Sequence, residues 1–229
     1  RTFVNVFLWS RHYKVTFAEI EHTIVFKSED HGLAFAYPVG AAEDVKRVLE
    51  FLMEYSAKKE APFVLYNVTE DNFRQLEEWY PGQYQIEYNR DIADYVYESE
   101  KLATLSGKKL HAKRNHINKF KATFDDWCYE PITKENVEEC FQMALKWRNE
   151  SGCEEDVEKN AEMCVTLNSL RLFEELELKG GLLRVNGEIV AFTMGEPISE
   201  DTFVVHIEKA FADVQGAYPM INQQFVEHE

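Results

Sequence analysis

The stretch LLRVNGEIVAFTMGEPI, residues 182–198, most constrains what this chain can fold into. Two β-rich runs flank Asn186–Gly187, a dipeptide that accepts the two left-handed residues of a tight antiparallel hairpin. A hairpin alone is marginal in water, so it needs further strands and a covering layer. Its surroundings supply both. WCYEPIT (127–133) and DTFVVHIEKAF (201–211) read as strands. KENVEECFQMALKWRNESG (134–152) has helical spacing and stops at Gly152, and residues 154–181 read as a long helix ended by Gly180–Gly181. GAYPMINQQFVEHE (216–229) reads as a helix with Pro219 in its first turn. Residues 127–229 therefore predict β–α–α–β–β–β–α.

The first half alternates similar signals. HYKVTFAEIEHTIVFKSE (12–29) predicts two strands turning at Glu21–His22, and LAFAYPV (33–39) a third. Val45, Val48, Leu49, Leu52 and Tyr55 predict a helix over 42–59. PFVLYNV (62–68) predicts a strand, 69–80 a helix capped by Thr69, and YQIEYN (84–89) another strand. DYVY (94–97) reads as a strand and SEKLATLSG (99–107) as a short helix. The expectation is an α/β chain, layered α+β, in two units over 1–93 and 94–229, each a mixed sheet flanked by helices.

Charge bears on partners. The 229 residues carry a formal net charge of −16, and a pI near 4.9 disfavours bulk nucleic-acid binding, so DNA is not an expected partner. Yet from Lys101 to Phe124 there is no Asp or Glu and there are seven Lys and Arg, against 18 basic and 41 acidic residues elsewhere. On a helix over 108–124, Leu110, Ile117, Phe120 and Phe124 fall within one arc of about 80°, with Lys113 inside it and Arg114 on its edge. Two readings stand. The cationic face is solvated or ion-paired, or Lys113, Arg114 and Asn118 bind a phosphate-bearing ligand. A lysine directed into an apolar arc calls for a buried carboxylate or a bound anion.

No apolar run approaches the ~18–20 residues that span a bilayer, and no secretory leader is recognisable. Cys128, Cys140, Cys153 and Cys164 form no CxxC pair, so they read as reduced, buried thiols in a cytoplasmic protein. The chain opens on Arg1, which reads as a trimmed start. His111 and His116, five apart, are not a zinc pair, and no metal ligand set is expected. Asp125–Asp126 and Glu154–Glu155–Asp156 read as helix-start and surface acids. No Walker loop, GxGxxG, GxSxG or HExxH occurs.

The order β–α–α–β–β–β–α resembles the GNAT acyltransferase fold. More specifically, TFVNVFLWSRHYK (2–14), DYVYESEKLATLSGKKLHAKRNHINKF (94–120) and HIEKAFADVQGAYPMINQQF (206–225) resemble segments of the phosphatidylglycerol lysyltransferase C-terminal-domain family. The resemblance implies two tandem GNAT-like units, the second stopping before its last strands. It also implies an acyltransferase of the aminoacyl-transfer type, moving an aminoacyl or acyl group from a donor to an amine or hydroxyl by direct attack. Aminoacyl-tRNA or acyl-CoA would be the co-substrate, with no firmly expected cofactor. The acceptor would be a small molecule, a peptide or a lipid headgroup. The donor loop, AFADVQGAY (210–218), carries a single glycine, Gly216, which departs from the glycine-rich loop of coenzyme A users. In the strand 202–209, side-chain alternation puts His206 and Glu208 on one face, and they are the candidate bases. Tyr218 is the candidate acid for the leaving group, with Asn222 one turn later as a further contact. The alternatives are a non-catalytic GNAT-like module binding a peptide or phosphorylated metabolite, and an acetyl-CoA-dependent N-acetyltransferase.

Overall fold

A computed structural model describes residues 2–90, 93–153 and 156–229. The acids predicted at Glu154–Glu155 lie outside the described residues. The chain divides into two compact units. One runs over Val6–Ala93, and the other comprises Thr2–Asn5 with Asp94–Glu229.

After the helix α1 (Phe3–Trp9), the first unit builds a sheet in the order β1 (Val15–Ile20), β2 (Thr23–Ser28), β3 (Ala34–Ala36) and β4 (Leu65–Tyr66). The first two pairings are antiparallel and β3–β4 is parallel, so this sheet is mixed. The β1–β2 turn falls on Glu21 and His22, whose φ of 46° and 60° give the left-handed geometry of a two-residue hairpin without a glycine. Helix α2 (Ala42–Lys58) separates β3 from β4, the crossover that a parallel pair requires. Its apolar stripe forms the core: Val48 and Leu52 cluster with Val25 and Phe35, and Val45 and Leu49 with Tyr37 and Leu76. Leu76 comes from α3 (Glu70–Trp79). There Thr69 accepts from the Asn72 amide at 3.2 Å while the Asn72 side chain accepts from the Thr69 amide at 3.3 Å. This reciprocal cap predicts that Thr69→Ala lowers stability by about 1 kcal/mol, read as a shift of the urea midpoint.

The second unit opens with α4 (Ser99–Thr104), a 3-10 turn at Lys108–Leu110 and α5 (His111–Thr123). Its sheet runs in the order β5 (Trp127–Pro131), β6 (Lys179–Val185), β7 (Glu188–Pro197) and β8 (Phe203–Ala210). Helices α6 (Val137–Glu150) and α7 (Val157–Arg171) lie between β5 and β6 in the chain, and α8 (Ala217–His228) follows β8. The β6–β7 turn uses Asn186 and Gly187 at φ 52° and 82°. Where a mixed sheet was expected, every pairing here is antiparallel. Two helical passes between β5 and β6 return the chain to the end of β5 where it left, so β6 runs back along it. The largest fully buried side chains include Leu182, Leu183, Phe192 and Met194 of the sheet, and Met220, Ile221 and Phe225 of α8.

Three expectations are corrected. Residues 84–89 and 94–97 are not strands. They join neither sheet, and Ile86, Tyr88, Tyr95 and Val96 are exposed. The long helix stops at Arg171, and Gly180–Gly181 lie inside β6 rather than capping it. A Cβ at Gly181 would meet the Tyr129 ring of β5 at 2.4 Å, so the glycine makes room for that ring. Of the four thiols, Cys140 and Cys153 are buried, whereas Cys128 and Cys164 face solvent.

Candidate functional site

β8 carries a charge on each face. Ile207 and Lys209 are buried, and Glu208 points the other way. On the α8 side, Asn222 donates through Nδ2 to Glu208 Oε2 at 3.0 Å. Burial raises the Glu208 pKa above the ordinary carboxylate value, while the Asn222 bond and the Lys113 charge pull against it. Asn222, expected at a leaving group, is thus the side chain that orients the carboxylate.

On the opposite face, Lys209 is 4% exposed and is ion-paired with Glu162 of α7. Its Nζ lies 4.4 Å from the centre of the Trp147 ring of α6. The Trp147 indole donates to the Ala210 carbonyl at 2.9 Å, pinning the end of β8 where the chain leaves for α8. Glu162→Ala strands a buried ammonium, whereas Lys209→Met removes the charge and keeps the apolar stem. We expect the first to cost about 1–2 kcal/mol more than the second in urea unfolding.

The His206–Glu208 pair is not assembled as alternation suggested. Met194 pairs with Ile207 and Gly195 with Val205, so His206 is the unpaired residue of a bulge and interrupts the period between 206 and 208. His206 Nε2 lies 2.8 Å from Glu196 Oε1, both side chains being largely buried. The electrostatic neighbours of Glu208 are Asn222 and Lys113. Gly195 permits the bulge, since a Cβ there would stand 1.9 Å from the Val204 carbonyl.

Tyr218 sits in the first turn of α8. Burial raises its phenol pKa, the carboxylates Glu208 and Glu162 add to the rise, and contacts with Ala210 and Trp147 oppose it. Gly216, at φ 90°, starts the helix. A Cβ there would lie 2.5 Å from the His116 carbonyl of α5, so this glycine lets α8 pack against α5. A cleft of about 230 Å³ opens here, lined among others by His116, Phe211, Gln215, Gly216 and Tyr218.

The basic segment divides its work. α5 buries Ile117 and Phe120, while Leu110 and Phe124 are only half-buried. Lys113, expected towards the core, is exposed: its flexible stem carries the ammonium out to 6.0 Å from the Tyr97 ring centre, and its charge reaches Glu208. Arg114 donates to the carbonyls of Leu105 and Gly107, the second at 2.9 Å, and its other terminal nitrogen lies 3.5 Å from His111 Nδ1. It therefore shapes the α4–α5 loop, beside an open cleft of about 450 Å³ lined by Gly107, Lys108, His111 and Arg114. Asn118 is exposed on α5. Glu162 and Trp147 escaped sequence reading, because a helical acid and a helical tryptophan carry no motif. Among the described residues, no group of three or more His, Cys, Asp or Glu could hold a metal ion, and no helix is long and apolar enough to cross a membrane.

The chain is 40% identical to a conserved protein of unknown function from Bacteroides thetaiotaomicron, with a TM-score of 0.89 over 99% of this chain and 76% of that one. It shares its fold, at 14% identity and a TM-score of 0.59, with the C-terminal domain of a protein assigned as a lysylphosphatidylglycerol synthetase from Agrobacterium fabrum, over 100% of this chain and 70% of that one. An uncharacterised protein of Mycoplasmoides gallisepticum is 26% identical over 145 residues, which are 62% of this chain, and the chain spans 46% of that relative's length. The family model for the C-terminal region of phosphatidylglycerol lysyltransferase matches residues 1–229. With its two four-stranded sheets flanked by helices, the chain belongs to the phosphatidylglycerol lysyltransferase C-terminal family.

Proposed function

We propose that the second unit transfers an aminoacyl or acyl group directly from an activated donor to an amine or hydroxyl. The observation that carries this reading is the half-buried Glu208 carboxylate, held through one oxygen by Asn222 and raised in pKa by burial. Burial moves the carboxylate towards neutral pH, where a general base is most effective. Glu208 takes the proton as the acceptor nitrogen or oxygen attacks the donor carbonyl. The new C–N or C–O bond forms, the donor's ester or thioester bond breaks, and Tyr218 returns a proton to the leaving oxygen or sulfur. A phenol whose pKa is raised stays protonated at neutral pH, as an acid must. The cleft at the start of α8 suits the donor, because the positive end of the helix dipole lies there.

The family supports aminoacyl transfer, with aminoacyl-tRNA as the first donor to try and acyl-CoA as the second. A lipid headgroup, a peptide or a small amine are the acceptor classes. Four free cysteines and these donors suit a cytoplasmic setting. Incubation with labelled aminoacyl-tRNAs and acyl-CoAs and a set of acceptors is expected to yield labelled product with at least one pair. No turnover and no donor binding across that set would remove the reading.

A second reading, a binding module without turnover, gains from His206 and Arg114, both engaged by internal partners. It predicts ligand binding unchanged by loss of both His206 and Glu208.

A further inference from the structure

We propose that Tyr95 and Tyr97, backed by Lys113, form a platform on which an unpaired nucleobase of the acyl donor stacks. The inference rests on the transfer reading above and adds to it a recognition element outside the reacting centre.

Three observations converge on these residues. Tyr95, Val96 and Tyr97 are 86%, 91% and 56% exposed, in a segment that joins no sheet. Burial in a core therefore does not explain the two rings. They are also ordered relative to each other, with ring centres 6.3 Å apart and planes inclined by 19°. Tyr97 is further engaged by the Lys113 ammonium at 6.0 Å. A stacked pair with one ring so exposed leaves a flat aromatic face open to solvent, and every nucleobase has a π-face to place on it.

The electrostatics agree. The platform borders the one stretch of an acidic chain that has cations and no acids, Lys101 to Phe124. Two acids flank the platform in sequence: Glu98 is paired with Lys101 at 2.7 Å, and Asp94 precedes Tyr95. Phosphates flanking a stacked base would meet the α5 lysines. Lys113 ties the platform to the chemistry, because the same ammonium acts on Glu208. Both donor classes bring the required chemistry: coenzyme A carries an adenine, and an aminoacylated RNA ends in an unpaired CCA.

The test is binding, so its failure is separable from failure of transfer. The RNA tetranucleotide ACCA, coenzyme A and phosphatidylglycerol vesicles are titrated into the full chain at two salt concentrations, with chemical shifts and tyrosine fluorescence as readouts. We expect ACCA or coenzyme A to bind, and the one that binds identifies the source of the base. The double variant Tyr95→Ala/Tyr97→Ala should weaken that binding by at least about tenfold, and Tyr95→Phe/Tyr97→Phe should retain it. Lys113→Ala should lower the salt dependence of RNA binding by about one unit of slope. Glu208→Gln should bind the nucleotide as the parent does while losing transfer. The proposal is overturned if neither nucleotide binds at millimolar concentration, or if the double alanine variant binds within about twofold of the parent. It is equally overturned if that variant loses vesicle binding alone, which would make the patch a lipid-docking surface.

Discussion

Glu208→Gln is expected to abolish transfer, by about 10²–10⁴-fold in kcat, without harming the fold. The amide is isosteric, and its oxygen still accepts from Asn222, so packing against α8 is kept. What disappears is the ability to take a proton. The parent's activity should fall as pH drops through the raised pKa of Glu208, because only the carboxylate is a base. Stability should move the opposite way. A carboxyl whose pKa is higher folded than unfolded binds more protons in the folded state, so folding stability declines as pH rises from the ordinary carboxylate value to the raised one. Above the raised pKa the parent carries that cost in full and the glutamine variant does not. Glu208→Gln should therefore unfold at the same urea concentration as the parent or a higher one. Retained turnover would remove Glu208 from the mechanism, and a large loss of stability would recast it as a structural partner of Asn222 and Lys113.

Gly216→Ala should be the most destabilising small substitution near the site. The residue sits at φ 90°, where a Cβ costs about 1–2 kcal/mol. It also meets α5 closely, with the His116 carbonyl 2.5 Å and the Phe120 Cβ 3.0 Å from the added carbon. Neither helix can yield cheaply, because Phe120 is fully buried. Overpacking of this kind adds about 1–3 kcal/mol, so a loss of roughly 2–5 kcal/mol is expected on urea unfolding. A change below about 0.5 kcal/mol would show that the start of α8 shifts freely from α5. Since Tyr218 and the adjoining cleft ride on that first turn, donor affinity should fall together with stability.

The site and fold differ in how much the sequence disclosed, and particular residues show why. Asn186–Gly187, the α2 stripe and the Thr69 cap are local signals, and each became the predicted element. The glycine pair at 180–181 misled because a helix stop and a strand yielding to a neighbour's ring look alike until Tyr129 of β5 is in place. Tyr84–Asn89 and Asp94–Tyr97 alternate like strands, but pairing is decided by a partner edge that no local pattern contains. In the site, Glu208 stood out as a charge in an apolar strand. Its partners Asn222 and Lys113 come from two other helices, and His206 was diverted by a bulge that depends on Gly195. Helical projection put Lys113 in the apolar arc correctly by angle, yet its four-carbon stem reaches out of that arc. The same projection could not foresee Arg114 bound to its own preceding loop.

The charges on adjacent residues of β8 also guard the strand against misalignment. In an all-apolar strand, a slip of one residue exchanges one buried side chain for another of similar cost. Here it would turn Glu208 towards the acid of α7 and Lys209 towards the amide of α8, away from the carboxylate that neutralises it. Each charge then loses its counterpart at once, so the slipped alignment is penalised on both sides of the sheet. Glu208 and Lys209 thus leave the strand a single sliding position, an error check written into the pleat.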